Sequence, residues 1–286
     1  MHIPVGTVQQ LKVHQKIKTG YLIGNKYFEV PLSDQKTVNE LDIGDIVKVF
    51  LYNDRNHNIV GTTNIPSIQI DTYDWAEVVE VIPQLGVFVH IGIEKDILVS
   101  IDDLPVFKEV WPKVGDKLYV TLGKDQENRL LAIPAQEGIF MNIREIATED
   151  LLHTTVTGHV YHTSREGTAI FSMENYRGFI HHTEREQEPR LGELVTGRVI
   201  DVKDDGTINV SLLPLKHERI TDDADVILTA LENNGGILPY SDKSKPADIR
   251  KMFGFSKSAF KRALGRLMKE RKVEQRDGKT YLIIKK

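Results

Sequence analysis

The chain of 286 residues contains no cysteine, which excludes disulfides, thiol nucleophiles and zinc sites built on cysteine, and fits a reducing compartment. It has no apolar run long enough to span a membrane. The N-terminus, MHIPVGTVQQ, lacks the basic-then-apolar order of a secretory signal. A cytoplasmic location is therefore expected. Also absent are the phosphate-cradling GxxxxGK[ST] pattern, the GxGxxG fingerprint and a nucleophile–base signature. Adjacent acidic pairs such as Asp102–Asp103, Asp204–Asp205 and Asp222–Asp223 fall in expected turns or helix starts, where carboxylates cap or face solvent. The chain is expected to bind rather than to catalyse.

What is present is ordinary in amount, with 40% hydrophobic and 27% charged residues, but uneven in placement. The net charge of −4 hides a sign reversal: from Ser241 onward there are 15 Lys and Arg against 5 Asp and Glu. An acidic body joined to a basic end implies that a polyanion is met mainly at that end.

The basic end has its own order. Phe255–Lys272 reads as a helix with Phe260, Ala263, Leu264 and Leu267 on one face and Ser256 as its N-cap. Arg262, Arg266 and Lys269 fall on the opposite face, with Lys261 on the flank. Upstream, Ser244–Phe253 reads as a serine-capped helix broken by Gly254. An earlier helix begins by Asp225–Leu231 and ends at Gly235–Gly236. Downstream, Val273–Ile284 reads as two strands turning at Asp277–Gly278. Helix, turn, helix, hairpin is the winged-helix order. Its candidate phosphate contacts are Lys257, Lys261, Arg262, Arg266, Lys269, Arg271, Lys272, Arg276 and Lys279.

Before that end the chain repeats itself. Ile43-Gly44-Asp45, Val114-Gly115-Asp116 and Leu191-Gly192-Glu193 each precede an alternating strand, a polar turn and a closing strand. Gly20–Ile23, Gly86–Val89 and Gly167–Ile170 mark the second strand of each module. Five short strands per module predict closed barrels of the OB type. The expected fold is mainly β with a C-terminal α/β domain: three tandem OB-type five-stranded barrels over 1–63, 64–146 and 147–215, then a winged helix over 216–286. The second join is expected to hold a short helix near Asn142–Ala147, and Lys216–Asp222 is expected to be the third join.

Gly86–Leu104, GVFVHIGIEKDILVSIDDL, resembles the RNA-binding domain repeated in ribosomal protein S-one, and Gly178–Glu184, GFIHHTE, resembles its second half. With GTTNIP at Gly61–Pro66, EKDILV at Glu94–Val99, YRGFIHHTE at Tyr176–Glu184 and FSKSAFKRALGRL at Phe255–Leu267, the whole chain resembles the conserved virulence factor B family of bacteria. That resemblance implies an RNA-binding regulator acting through RNA stability or translation. The barrel residues expected to contact RNA are Phe88, His90, Tyr161, Arg177, Phe179 and His181. Phe88 would face outward if Val87 and Val89 face the core, by alternation along the strand. Arg177 suits bidentate phosphate contact, or pairs with Glu174 or Glu184. Ser100 stands where the S-one pattern has a histidine, and Ala169 where it has an aromatic. Tyr21 and Phe28 are the aromatics of the first module.

His159, His162, His181 and His182 cluster in one module. Neighbours on a strand point to opposite faces, so no metal site is expected, and no cofactor. The expected partner is single-stranded RNA, with a ribosome or other ribonucleoprotein as a further candidate, and neither membrane nor small-molecule substrate. Two alternatives remain: a DNA-binding transcription regulator using the winged helix, and a non-enzymatic ribonucleoprotein adaptor.

Overall fold

In a computed structural model, which describes residues 3–33, 40–214 and 216–283, the chain forms two compact units, Met1–Leu212 and Leu213–Lys286. The strands of the first unit close into three barrels. Barrel one comprises β1 (Val8–Ile17), β2 (Gly20–Gly24), β3 (Glu29–Ser33), β4 (Ile46–Asn53) and β5 (Ile59–Thr62). Barrel two comprises β6 (Asp74–Ile82), β7 (Gly86–His90), β8 (Ile97–Ser100), β9 (Lys117–Lys124) and β10 (Leu130–Pro134). Barrel three comprises β11 (Thr155–Thr163), β12 (Gly167–Ser172), β13 (Arg177–His181), β14 (Leu194–Val202) and β15 (Ile208–Ser211). In each, the third and fifth strands pair in parallel, which closes the sheet and removes its edges.

The repeated glycine–acid motif is the closing clasp of each barrel. Gly44, Gly115 and Gly192 sit at φ +105°, +94° and +81°, the positive region that a type II turn needs at its third residue. The acid that follows folds back onto the turn: Asp45, Asp116 and Glu193 accept from the amides of Asp42, Lys113 and Arg190 at 2.9, 2.7 and 2.8 Å. Each glycine amide then donates to Val13, Val78 or Val160 of its barrel's first strand. Immediately after those valines the register with the second strand slips by one residue. A β-bulge bends the strand there, so one long strand serves both sides of the barrel.

The second unit contains α2 (Lys216–Asn233), β16 (Ile237–Leu238), α3 (Pro246–Phe253), α4 (Lys257–Lys269), β17 (Val273–Arg276) and β18 (Lys279–Leu282), the strands pairing in the order β16-β18-β17. This is a winged helix. Phe260, Ala263, Leu264 and Leu267 of α4 are buried with Ile227, Leu231 and Phe253, as the helical spacing requires. The Ser256 hydroxyl caps α4 by accepting from Ala259 N, and Asp277 and Gly278, at φ +51° and +75°, make the hairpin turn. Ile284, the end of the expected strand, lies outside the described residues.

Three local expectations are corrected. The linker helix is α1, Glu137–Ile143, earlier than Asn142–Ala147. Past Ile143 the backbone is extended and Glu145 bridges to Tyr176 of barrel three. Lys216–Asp222 is no join but the start of α2, extended from the buried stripe of Ala224, Ile227 and Leu231. Ser244 does not cap α3: Lys245 holds that position, and the Ser244 hydroxyl accepts from Ser241 N. Pro246 presets the helix entry without needing a cap.

The first unit is not three separate cores. Val5, Phe50 and Tyr52 of barrel one are buried in the same cluster as the interior of barrel two. Between barrels two and three an aromatic seam centres on fully buried Phe140 of α1, stacked on Tyr161 at 3.9 Å and packed with Phe171 and Tyr119 at 5.0 and 5.4 Å.

Candidate nucleic-acid interface

The second and third strands of each barrel set a repeated pair of outward positions. Leu22 faces Pro31 in barrel one, Phe88 faces Leu98 in barrel two and Ala169 faces Phe179 in barrel three, though Ala169 is covered by the seam of Phe140, Tyr161 and Phe171. Alternation holds: Val87 and Val89 are fully buried while Phe88 is half-buried and His90 exposed. In barrel three, Gly178 and Ile180 are buried, Phe179 is half-buried and His181 exposed. Each outward phenylalanine therefore offers a ring face at the surface. The Phe179 ring lies over Gly167, where an added Cβ would come within 2.5 Å of the ring tip.

His181 and Ser100 occupy the same register position, opposite Gly167 and Gly86. Each caps the 3-10 turn that follows, accepting from Thr183 N or Asp102 N. That shared backbone role explains why serine and histidine exchange there. His90 is held by Asp96 at 3.0 Å.

Two expected contacts are withdrawn from the surface. Tyr161 is the residue skipped at the bulge of β11, is 8% exposed and packs beneath Phe140, its hydroxyl donating to Glu137. Burial, and then the bond to Glu137, push its phenol well above the usual range. It is not an open stacking platform. Arg177 pairs with neither Glu174 nor Glu184 but with Glu137 at 3.0 Å, and its Nε also donates to Tyr161 Oη. Burial works against its charge, yet Tyr161 and Glu137 hold the guanidinium above its ordinary value. Its carbon lies 5.7 Å from the Phe179 ring centroid, so it backs the platform rather than reaching out.

In barrel one, Tyr21 is buried with its hydroxyl accepting from Leu41 N, and Phe28 packs on the core. His181 and His182 do not point apart: β13 ends at His181, and the two rings lie 4.2 Å from each other. Among the described residues no group of three His, Cys, Asp or Glu side chains is placed to hold a metal ion.

Sequence reasoning missed Lys203 and Asn209. With Phe179, His181, Thr183 and Glu184 they line a cleft of about 420 Å³ on barrel three. Only the strand register, which puts Asn209 beside Phe179 across the parallel β13–β15 pair, brings them together.

On the winged helix, Lys261, Arg262, Lys269, Arg271, Lys272, Arg276 and Lys279 are exposed, and Lys257 and Arg266 half-buried. Glu270 pairs with Arg266 at 2.7 Å and Lys272 at 2.9 Å. Arg276 pairs with Glu274 at 3.6 Å and lies over the Tyr281 ring. Lys261, Arg262, Lys269, Arg271 and Lys279 make no ion pair among the described residues, which leaves a basic ridge on α4 and its wing.

Sequence comparison places this geometry. The chain is 36% identical over 282 residues to conserved virulence factor B of Staphylococcus aureus, covering 97% of this chain and 94% of that one. The chain belongs to the conserved virulence factor B family. Models of that family match as its first S1-like domain over residues 73–133, its second domain over 140–214 and its winged helix domain over 225–282. A general S1 domain model covers barrel one, residues 5–64. An uncharacterized protein of Bacillus subtilis, YitL, is 43% identical over 271 residues, 95% of this chain and 91% of its own. A crystal structure described as a multidomain protein with nucleic acid binding domains, from Streptococcus pneumoniae, is 37% identical, covers 98% of both chains and superposes with a TM-score of 0.69. The virulence factor B plan is thus S1-like barrels followed by a winged helix.

Proposed function

We propose that the chain binds single-stranded RNA and acts on RNA stability or translation without a catalytic step. The observation that carries this reading is the repeated outward pair: Phe88 on the second strand of barrel two and Phe179 on the third strand of barrel three are the two members of the same cross-strand pair, each with a histidine two residues on. Bases stack on such rings with little regard to sequence. Cations of α4 and the wing supply phosphate contacts, which add affinity without reading bases. The description of the Streptococcus pneumoniae relative as carrying nucleic acid binding domains supports the same assignment.

The test is fluorescence anisotropy of the full-length protein with labelled single-stranded RNA across a salt series. Affinity should fall with salt, and Phe88→Ala and Phe179→Ala should each cost about 1–3 kcal/mol of binding, the worth of one stacked base. Duplex DNA should compete poorly. If duplex DNA binds tighter than RNA and neither phenylalanine matters, the chain is a winged-helix DNA binder and this reading fails.

A further inference from the structure

The segment after β8 presents apolar side chains that the fold does not use. Val106 is 92% exposed and Phe107 66%, and no other large apolar side chain among the described residues is as exposed as Val106. The loop that carries them is not a loose tip. The Trp111 indole donates to Pro105 O at 2.6 Å, Lys108 Nζ reaches Pro83 O at 2.8 Å, and Leu191 of barrel three donates its amide to Val110 O. A pinned backbone leaves a ligand little loop entropy to remove on binding.

They border a groove between barrels two and three. One depression of about 800 Å³ is walled by Leu104, Pro105, Val106, Phe107 and Val110 against the Thr163–Arg165 turn. A second of about 660 Å³ shares Leu104, Pro105 and Thr163 with it and runs past Asp102 and Asp103. Among the described residues, Arg165 is the one Lys or Arg lining either depression. Asp102, Asp103 and Glu109 make no ion pair among the described residues, whereas Glu137 and Glu188 are matched by Arg177 and Arg185. Partial desolvation, and then the neighbouring Asp102, hold the Asp103 carboxyl above its ordinary value, a penalty that an incoming cation would relieve. The same acids repel phosphate.

We propose that this groove docks a segment of a partner protein that carries an apolar or aromatic anchor beside two or more lysines or arginines. The anchor fills the depression beside Phe107, and the cations lie along Asp102 and Asp103. Apolar contact at the centre with charge matching at the rim is the usual division of labour in a protein interface. The site goes beyond the RNA reading and faces a different chemical class of ligand.

The probe is a fluorescein-labelled peptide of two lysines, leucine, phenylalanine and two lysines, titrated with full-length protein. Two controls replace the leucine and phenylalanine by serines, or the lysines by glutamates. Both controls should bind at least about tenfold more weakly, as should the parent peptide to Phe107→Ser, given what loss of a central anchor removes. Asp102→Asn with Asp103→Asn should weaken the parent peptide and flatten its salt dependence. These side chains are exposed, so the thermal midpoint should not fall. Affinity for labelled single-stranded RNA should stay within about twofold in every variant, since no cation that could meet a phosphate is removed. The proposal is overturned if the serine control binds as well as the parent, if Phe107→Ser leaves peptide binding intact, or if the peptide does not bind at about 1 mM, the weak end of specific recognition. A fall in RNA affinity for Phe107→Ser would instead make the groove part of the RNA track.

Discussion

Gly115 shows how much of the fold hangs on single backbone angles. An added Cβ there would meet nothing within 4 Å, yet its φ is +94°. Gly115→Ala should therefore destabilise the protein by about 1 kcal/mol through backbone conformation alone, measurable by urea unfolding. Gly167→Ala should act differently, because its Cβ would strike Ile180 O at 2.4 Å and the Phe179 ring at 2.5 Å. Displacing that ring should lower RNA affinity as well as stability. His159 couples stability to pH. It is buried in the seam, its Nδ1 3.0 Å from Gly192 O and its ring 4.8 Å from Trp75. Burial lowers its affinity for a proton, with the hydrogen bond to Gly192 working the other way. The unfolded chain then binds the proton more readily, so stability should be complete above the free-histidine value of about 6.5 and decline as pH falls below it. His159→Gln should flatten the fall in thermal midpoint between about pH 7 and 5, relative to the parent protein.

Among the elements, α1 and α4 have contrasting duties. Helix α1 spans only Glu137–Ile143, but its Phe140 is fully buried. Phe140→Ala should cost about 3–5 kcal/mol in chemical denaturation, the usual range for removing a core phenylalanine. Helix α4 turns Lys261 and Arg262 to solvent. Replacing both by alanine should leave stability nearly unchanged and reduce the slope of log affinity against log salt by about 0.7 for each phosphate of a single strand that these cations neutralise. The strands, the repeated glycine–acid motif and the winged helix were legible in the sequence because each rests on a local requirement: alternation, a glycine with an acid beside it at a fixed place in each module, or a three-and-four apolar stripe. That the acid clasps the turn was not legible. The outward setting of Phe88 was legible from the same alternation. The burial of Tyr161 and the pairing of Arg177 were not, since their cover comes from Glu137 and Phe140, more than twenty residues upstream in a linker. A contact between a linker helix and a barrel leaves no period to read.

Over the whole molecule, charge and repetition act together. On the proposed reading, the acidic body repels an RNA backbone except where aromatic rings hold a base, and the basic end attracts it. Weak sites joined in one chain gain through effective concentration. An RNA of about 6 nucleotides, enough for one barrel, should thus bind at least about 100-fold more weakly than one of about 30 that reaches several sites. Competition anisotropy measures this directly, and equal affinities would mean that one site does all the binding.

The aromatic seam also imposes an order on the chain's birth. Barrel two has all its strands once Pro134 has been made, yet Trp75 and Tyr119 on its flank have no cover until Phe140, Tyr161 and Phe171 follow. At about 5–20 residues per second, ribosomal synthesis leaves that flank bare for about 2–7 s. A nascent chain halted between Pro134 and Phe171 would carry a finished barrel with a sticky side, and there a holding chaperone would find its grip.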